Sequence, residues 1–221
     1  MKKIFIPLCL IFASATLWST EPLLRYDYKG DAPKFTGEYA APVVTGKPSI
    51  GGTDSASAIA FDGKRDFLTV PGSNSLHLTG GGTLAATVKF NDNGTEGGKA
   101  DAHDMIFFKP DEFLLGRTGD QLYFNMKSGK QWAMTSYAKL PATAAPLKVA
   151  ATVRRDGDKS EITLYINGKQ VFRKRFAGEP DTTDAPVTIG KGWGGPWFLN
   201  GELSDLAIYN QPLTESEIAT L

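Results

Sequence analysis

Leu147–Phe176, LKVAATVRRDGDKSEITLYINGKQVFRKRF, packs three strands and two tight turns into one short segment. Leu147 to Arg154 is an apolar, β-branched run, and Asp156-Gly157 then turns the chain. Ile162, Leu164 and Ile166 recur with a period of two, which puts them on one face of the returning strand. Asn167-Gly168 closes the second turn. Both central positions of a two-residue hairpin turn need positive φ, and Asn-Gly meets that demand better than other pairs. Gln170 to Phe176 runs back as the third strand. This is an antiparallel meander, the signature of an all-β protein.

Outward from it, the same grammar repeats. Ser57 to Phe61 alternates, Asp62-Gly63 turns, and Phe67 to Val70 follows, so these two runs read as a hairpin. Thr83 to Phe90 alternates again after Gly80-Gly81-Gly82, and Asn91 to Asp104 is a polar, glycine-rich loop. Four more strands are expected over 105–108, 112–115, 121–126 and 131–137. Turns at Pro110, Gly119-Asp120 and Gly129 separate them. Pro186 to Gly190 and Gly201 to Tyr209 supply the last strands. Thr214 with Glu217 three residues later forms a capping box that starts one C-terminal helical turn. Many short strands without a repeat or linker predict one domain over 21–221, a two-sheet antiparallel jelly-roll sandwich.

Composition agrees: 41% hydrophobic and 22% charged residues are the proportions of a folded globular chain, not a disordered one. Lys2, Lys3, the apolar run Ile4 to Phe12 and the small residues Ala13-Ser14-Ala15 predict a signal peptide over 1–20. Cleavage falls after Ala15 or near Thr20. The run is too short to cross a hydrocarbon layer about 30 Å thick, so no transmembrane anchor is expected. The predicted location is secreted, periplasmic or cell-surface. Cys9 is the only cysteine and lies inside this leader, so the mature chain is expected to have no disulfide and no thiolate chemistry. With Lys2 and Lys3 removed, 22 basic side chains face 24 acidic ones, a balance that argues against a nucleic-acid partner.

Several segments resemble, in order, the bacterial laminin-G-like domains of the concanavalin A-like lectin/glucanase superfamily. They are Leu24-Arg25-Tyr26-Asp27, Ala58 to Gly63 with Phe67 to Pro71, Thr83 to Phe90 and Val149 to Val153. Leu164-Tyr165-Ile166-Asn167-Gly168 and Phe198 to Gly201 follow, with Leu206 to Leu213 and Glu217-Ile218 last. Thr87 stands where the family usually has Trp. The resemblance implies a concanavalin A-like sandwich serving as a binding or adhesion module.

It also implies where to look for an ion. Relatives hold structural calcium between an early loop and the last strand, and Asp62 and Asp205 correspond to that neighbourhood. Asp62 serves equally well as the acidic half of an Asp-Gly turn, and Asp205 as the partner of a nearby cation.

No catalytic residues are expected. Glycosidases need two carboxylates facing each other across the scissile bond, about 5–9 Å apart. The one-strand Glu-x-Asp-x-Glu pattern of laminarinase-like relatives does not occur, since Glu161 is followed by Thr163 and Glu202 by Ser204. Asp111-Glu112 and Asp156/Asp158 read as solvated turn residues, and His77 and His103 as surface residues. Trp193 and Trp197 in a Gly/Pro loop, with Trp132 and Tyr137 on a neighbouring strand, are the candidate ligand-binding residues. Aromatic platforms suit sugar faces, although Trp197 equally suits a plug for the end of the sandwich. The expected function is non-catalytic, lectin-like carbohydrate binding, with adhesion to another cell-surface protein as the alternative and a glycoside hydrolase third. Phe172-Arg173-Lys174-Arg175-Phe176 reads as a charged edge strand that also suits an anionic glycan.

Overall fold

Asn167 and Gly168 both have positive φ, 50° and 73°, as the turn chemistry demands. In the computed structural model, which describes residues 21–28, 33–39, 41–50, 58–71, 76–91, 103–193 and 197–221, the turn joins β13 (Lys159–Ile166) to β14 (Lys169–Ala177). The expected signal peptide over 1–20 lies outside the described residues.

β14 is one edge of the first sheet, which continues through β13, β12 (Leu147–Asp156), β7 (Gly82–Phe90), β16 (Asn200–Tyr209), β1 (Leu24–Tyr28) and β2 (Pro33–Thr36). Short β5 (Ile59–Asp62) also pairs with β16, and β4 (Ser49–Ile50) pairs with β5. The second sheet runs β11 (Gln131–Lys139), β10 (Gln121–Ser128), β9 (Phe113–Thr118), β8 (His103–Lys109), β15 (Val187–Ile189), β6 (Phe67–Val70) and β3 (Val43–Thr45). The predicted two-sheet antiparallel sandwich is therefore present.

One core fills the space between the sheets. Val149, Ala151 and Val153 of β12, Ile162, Leu164 and Ile166 of β13, and Leu84, Ala86 and Val88 of β7 meet Phe107, Phe113, Leu115, Phe124, Met126 and Met134 of the other sheet. Burying each such large side chain contributes about 1.5–3 kcal/mol, so a disulfide is not required to hold the layers together. The helix α1 (Glu215–Thr220) has its capping box. Thr214 N donates to Glu217 Oε2 at 2.7 Å and Glu217 N to Thr214 Oγ1 at 3.3 Å. Ile218 packs α1 against Ala85, Ala150 and Tyr165 on the outer face of the first sheet.

Three expectations need correction. Ser57 to Phe61 and Phe67 to Val70 do not form a hairpin, because β5 belongs to the first sheet and β6 to the second. Asp62 Oδ1 accepts from the backbone N–H groups of Lys64, Arg65 and Asp66 at 2.9–3.0 Å, which builds a wide turn that carries the chain across the sandwich. The loop read over Asn91 to Asp104 ends early, since His103 and Asp104 already belong to β8.

The third correction concerns polar residues read as solvated. Glu112 is fully buried with fully buried Lys109, whose Nζ lies 2.9 Å from Glu112 Oε2. His77 Nδ1 stands 2.8 Å from the same oxygen and 2.9 Å from Lys109 Nζ, and Thr183 N donates to that oxygen at 3.2 Å. Asp111 takes positive φ at the β8–β9 turn and so turns the next residue inward. A charge in such a place carries a large desolvation cost unless it is paired, and here each has its partner.

Candidate functional site

The outer face of the second sheet, turned away from the shared core, carries the site. Leu122, Phe124 and Met126 of β10 point into the core, so Tyr123, Asn125 and Lys127 point out. Antiparallel pairing sets Tyr137 opposite Tyr123 and Thr135 opposite Asn125. A register shift after Met126 then pairs Lys127 with Trp132 and leaves Ala133 as an extra residue. That bulge matters. By simple alternation Trp132 shares the inward face of Met134; the inserted residue rotates it outward, and Lys127 Nζ lies 5.5 Å from its ring centroid.

Trp193 and Trp197 arrive from the segment between β15 and β16. The chain is pinched below them by the Lys191–Phe198 bridge and by Gly192 N donating to Trp197 O at 2.8 Å. A side chain at Gly192 would stand 3.1 Å from Trp197 Cβ, so the close pinch favours glycine. Residues 194–196 of the Gly/Pro loop lie outside the described residues.

The four expected residues are brought to one face. Trp193 meets Trp132 edge-on at 5.3 Å, Trp197 edge-on at 5.2 Å and Phe108 at 4.6 Å. Trp197 stacks on His103 at 3.8 Å, His103 touches Tyr123 at 5.2 Å, and Tyr123 lies nearly parallel to Tyr137 at 5.9 Å. Trp193 is 49% and Tyr137 47% exposed, so both rings offer a face to solvent, whereas Trp132 and Trp197 are half-buried supports. Trp197 is thus neither a plug of the inner core nor a free platform. It braces Trp193 and covers His103, which is why His103 is half-buried rather than on the surface.

Polar groups lie among the rings. Thr135 Oγ1 donates to Asn125 Oδ1 at 3.0 Å, midway between the tyrosine pair and the Trp132–Lys127 pair. The Tyr123 hydroxyl is buried and has no hydrogen-bond partner among the described residues. Burial, with Tyr137 beside it, pushes its ionisation far up, so it stays a neutral phenol able to donate and accept. Lys127 also pairs with Asp111 and opens onto a polar groove of about 780 Å³ bordered by Lys130, Glu179 and Asp181.

Tyr123, Asn125, Thr135 and His103 were not found by sequence reasoning. The alternation of β10 and β11 about the Gly129 turn carries the signal for the first three. Nothing local signals His103, which meets Trp197 only through the fold.

The expected calcium ligands do not assemble. Asp62 pairs across the sheet with Asn200 of β16, whereas Asp205 stands five residues further along that strand. At ~3.3 Å per residue that is about 16 Å; shared ligands of one ion each stand about 2.4 Å from it. Burial raises the Asp62 carboxyl, but three backbone N–H bonds and the Arg65 guanidinium outweigh it and hold it below its usual value. A carboxylate ringed by donors is an anion already satisfied. Asp205, with φ 48°, accepts from Thr87 Oγ1 at 3.1 Å. Among the described residues no group of three or more His, Cys, Asp and Glu side chains is placed to hold a metal ion.

The family model described as the concanavalin A-like lectin/glucanases superfamily, of the laminin G type, matches residues 62–219. No curated protein matches in sequence. Among solved structures, the binding domain of Paraclostridial Mosquitocidal Protein 1 superposes with a TM-score of 0.68 at 15% identity, covering 90% of this chain and 51% of that one. The receptor binding domain of botulinum neurotoxin C/D mosaic serotype gives 0.67 at 13% identity, covering 90% and 50%. A botulinum neurotoxin type C structure, described as dependent on two ganglioside molecules for cell entry, gives 0.63 at 12% identity, again covering 90% and 50%. The chain spans about half the length of these structures, and at such identities the likeness is one of fold. Among the described residues no helix is long and apolar enough to cross a membrane.

Proposed function

We propose that this chain, which belongs to the concanavalin A-like lectin/glucanase superfamily, is a non-catalytic carbohydrate-binding module whose ligand lies on the aromatic face formed by Trp193, Trp132, Trp197 and Tyr137. The observation that carries the reading is the pairing of two half-exposed rings, Trp193 and Tyr137, with a buried Tyr123 hydroxyl that has no partner among the described residues. A sugar ring presents apolar C–H faces and hydroxyl edges. Stacking on the rings covers the first, and Tyr123, Asn125 and Thr135 answer the second. The ganglioside dependence described for a neurotoxin of similar fold fits a glycan ligand.

Carboxylates on β8 and at the β8–β9 turn of this sheet are occupied in structural pairs. Asp104 accepts from Arg117 Nε at 2.9 Å and from Asn200 N at 3.0 Å, and Asp111 holds Lys127. Those engagements support binding without hydrolysis. Residues 1–20 are proposed as a cleaved export signal, which places the module outside the cytoplasm; N-terminal sequencing of the exported protein tests it.

A glycan array probed with wild type and Trp193→Ala tests the main reading. Wild type is expected to bind at least one glycan, and Trp193→Ala to lose it while keeping its fold. Equal binding by both, on every glycan bound, overturns the proposed face. Adhesion to a cell-surface protein is the second reading. It is favoured by Val43 and Val44, 58% and 56% exposed on the edge strand β3.

A further inference from the structure

The opposite side of the sandwich carries a different chemistry. On β12, β13 and β14 the core takes Val153, Ile162 and Leu164, so the residues that alternate with them face outward. In register, Arg154 lies opposite Glu161 and Glu161 opposite Arg175, while Thr163 lies opposite Arg173 in the neighbouring row. One row further, Asp156 pairs with Lys159. Arg154, Lys159, Arg173 and Arg175 outnumber Asp156 and Glu161 on this patch, although the whole chain has no net charge.

The arginines are also held in place. Arg173 Nη2 donates to Glu161 Oε1 at 2.8 Å and Arg175 Nε to Glu161 Oε2 at 2.9 Å. The Glu161 side chain is 8% exposed, yet the two arginine side chains remain 54% and 57% exposed. A buried carboxylate thus anchors one edge of each fork and leaves the other N–H groups toward solvent. Arg175 also touches Asp156 at 3.4 Å, whereas Arg154 stands exposed beside them. A charged edge needs only repulsion to resist strand pairing, for which mobile lysines suffice. Guanidiniums fixed at successive rows of a sheet instead match a row of oxyanions, since each fork binds a carboxylate or sulfate through two parallel bonds.

We infer that the outer face of β12–β14, built from Arg154, Arg173 and Arg175 around Glu161, is a second binding surface for an anionic polysaccharide bearing sulfate esters or carboxylates. It stands independently of the aromatic face, on the other sheet. One molecule can therefore engage two glycan chemistries at once.

Affinity electrophoresis of the full chain through gels containing dextran sulfate, polygalacturonate or neutral dextran tests this. Retardation is expected in one or both polyanions and not in dextran, and the stronger of the two identifies sulfate or carboxylate as the group recognised. Arg154→Gln with Arg173→Gln is expected to weaken it at least tenfold, and Trp193→Ala to leave it unchanged. Arg173→Lys, which keeps the charge but loses the fork, is expected to weaken it severalfold. The inference is overturned if wild type migrates freely in both polyanions at low salt, if the double variant or Arg173→Lys is retarded like wild type, or if anionic phosphatidylserine vesicles compete more strongly than either soluble polyanion. Near-UV circular dichroism confirms that each variant is folded, and competition by soluble polymer against wild type alone decides the same question without any variant.

Discussion

Trp132 and Trp193 meet edge to face, ring centroids 5.3 Å apart with planes at 87°, although one comes from a strand of the second sheet and the other from the segment between β15 and β16. That contact depends on the bulge after Met126 and on the pinch at Gly192 together. The aromatic face is thus a product of tertiary structure, and its residues divide into those that meet ligand and those that brace.

Trp193 belongs to the first group. Because half of its surface is exposed, Trp193→Ala is expected to shift thermal unfolding by only a few degrees, an effect of about 1 kcal/mol, while lowering glycan affinity at least tenfold. Trp197→Ala, which uncovers His103 and unbraces Trp193, is expected to lower affinity and also cost about 2–3 kcal/mol. Calorimetric titration beside a melting curve separates the two.

Tyr123→Phe removes a buried hydroxyl that has no partner among the described residues. The free protein is expected to keep or slightly raise its stability, since no hydrogen bond is lost and less polar surface is buried. Glycan affinity is expected to fall about two- to twelvefold, the worth of one hydrogen bond of ~0.5–1.5 kcal/mol. A destabilised Tyr123→Phe with unchanged affinity would contradict this.

Lys109 and Glu112 bury opposite charges side by side. Replacing one alone, as in Glu112→Gln or Lys109→Met, is expected to cost about 3–5 kcal/mol because an uncompensated buried charge remains. Urea unfolding of each single variant and of Lys109→Met with Glu112→Leu checks it, the double variant being expected to recover most of the loss.

Acid is expected to weaken the fold in a defined window. Hydrogen bonding from Arg173, opposed by burial and reinforced by Arg175, holds Glu161 below the ordinary 4.5. Asp62 likewise lies below 3.8, burial there being outweighed by its backbone N–H bonds and Arg65. A carboxylate with a lowered folded-state pKa binds fewer protons folded than unfolded, so its contribution is fully present above the unfolded values. It disappears as pH falls through the folded ones. Melting temperature is therefore expected to be level above about pH 5.5 and to fall below it, and Glu161→Gln is expected to flatten part of that slope.

Gly168→Ala tests the turn. Its φ of 73° lies in the left-handed region, and an added methyl would stand 3.3 Å from Ala219 Cα. A loss of about 1 kcal/mol or more is expected, read from the denaturation midpoint.

Much of the fold was legible because its determinants are local. Asn167-Gly168 specifies positive φ by residue type, the alternation of Ile162, Leu164 and Ile166 specifies a buried face, and Thr214 with Glu217 specifies a helix start. Each depends on neighbours only a few residues away along the chain. Trp193, Trp197, Trp132 and Tyr137 were likewise visible as candidates by chemistry alone.

What tertiary structure alone decided is every relation that a register or a crossing controls. The wide turn at Asp62 sent β5 and β6 into different sheets, because hydrogen-bond partners of a strand are chosen across the fold. A single extra residue, Ala133, reversed the face on which Trp132 lies, since strand alternation has a period of two and one insertion inverts it. Glu112 went from an apparent turn acid to a buried counter-ion because His77 and Thr183 converge, from distant places in the chain, on the pair it forms with Lys109 across its own turn. Residue types and their local spacing thus fixed the alphabet of strands and turns and the chemical candidates. Which rings share a face, and which charges share a core, waited on long-range packing.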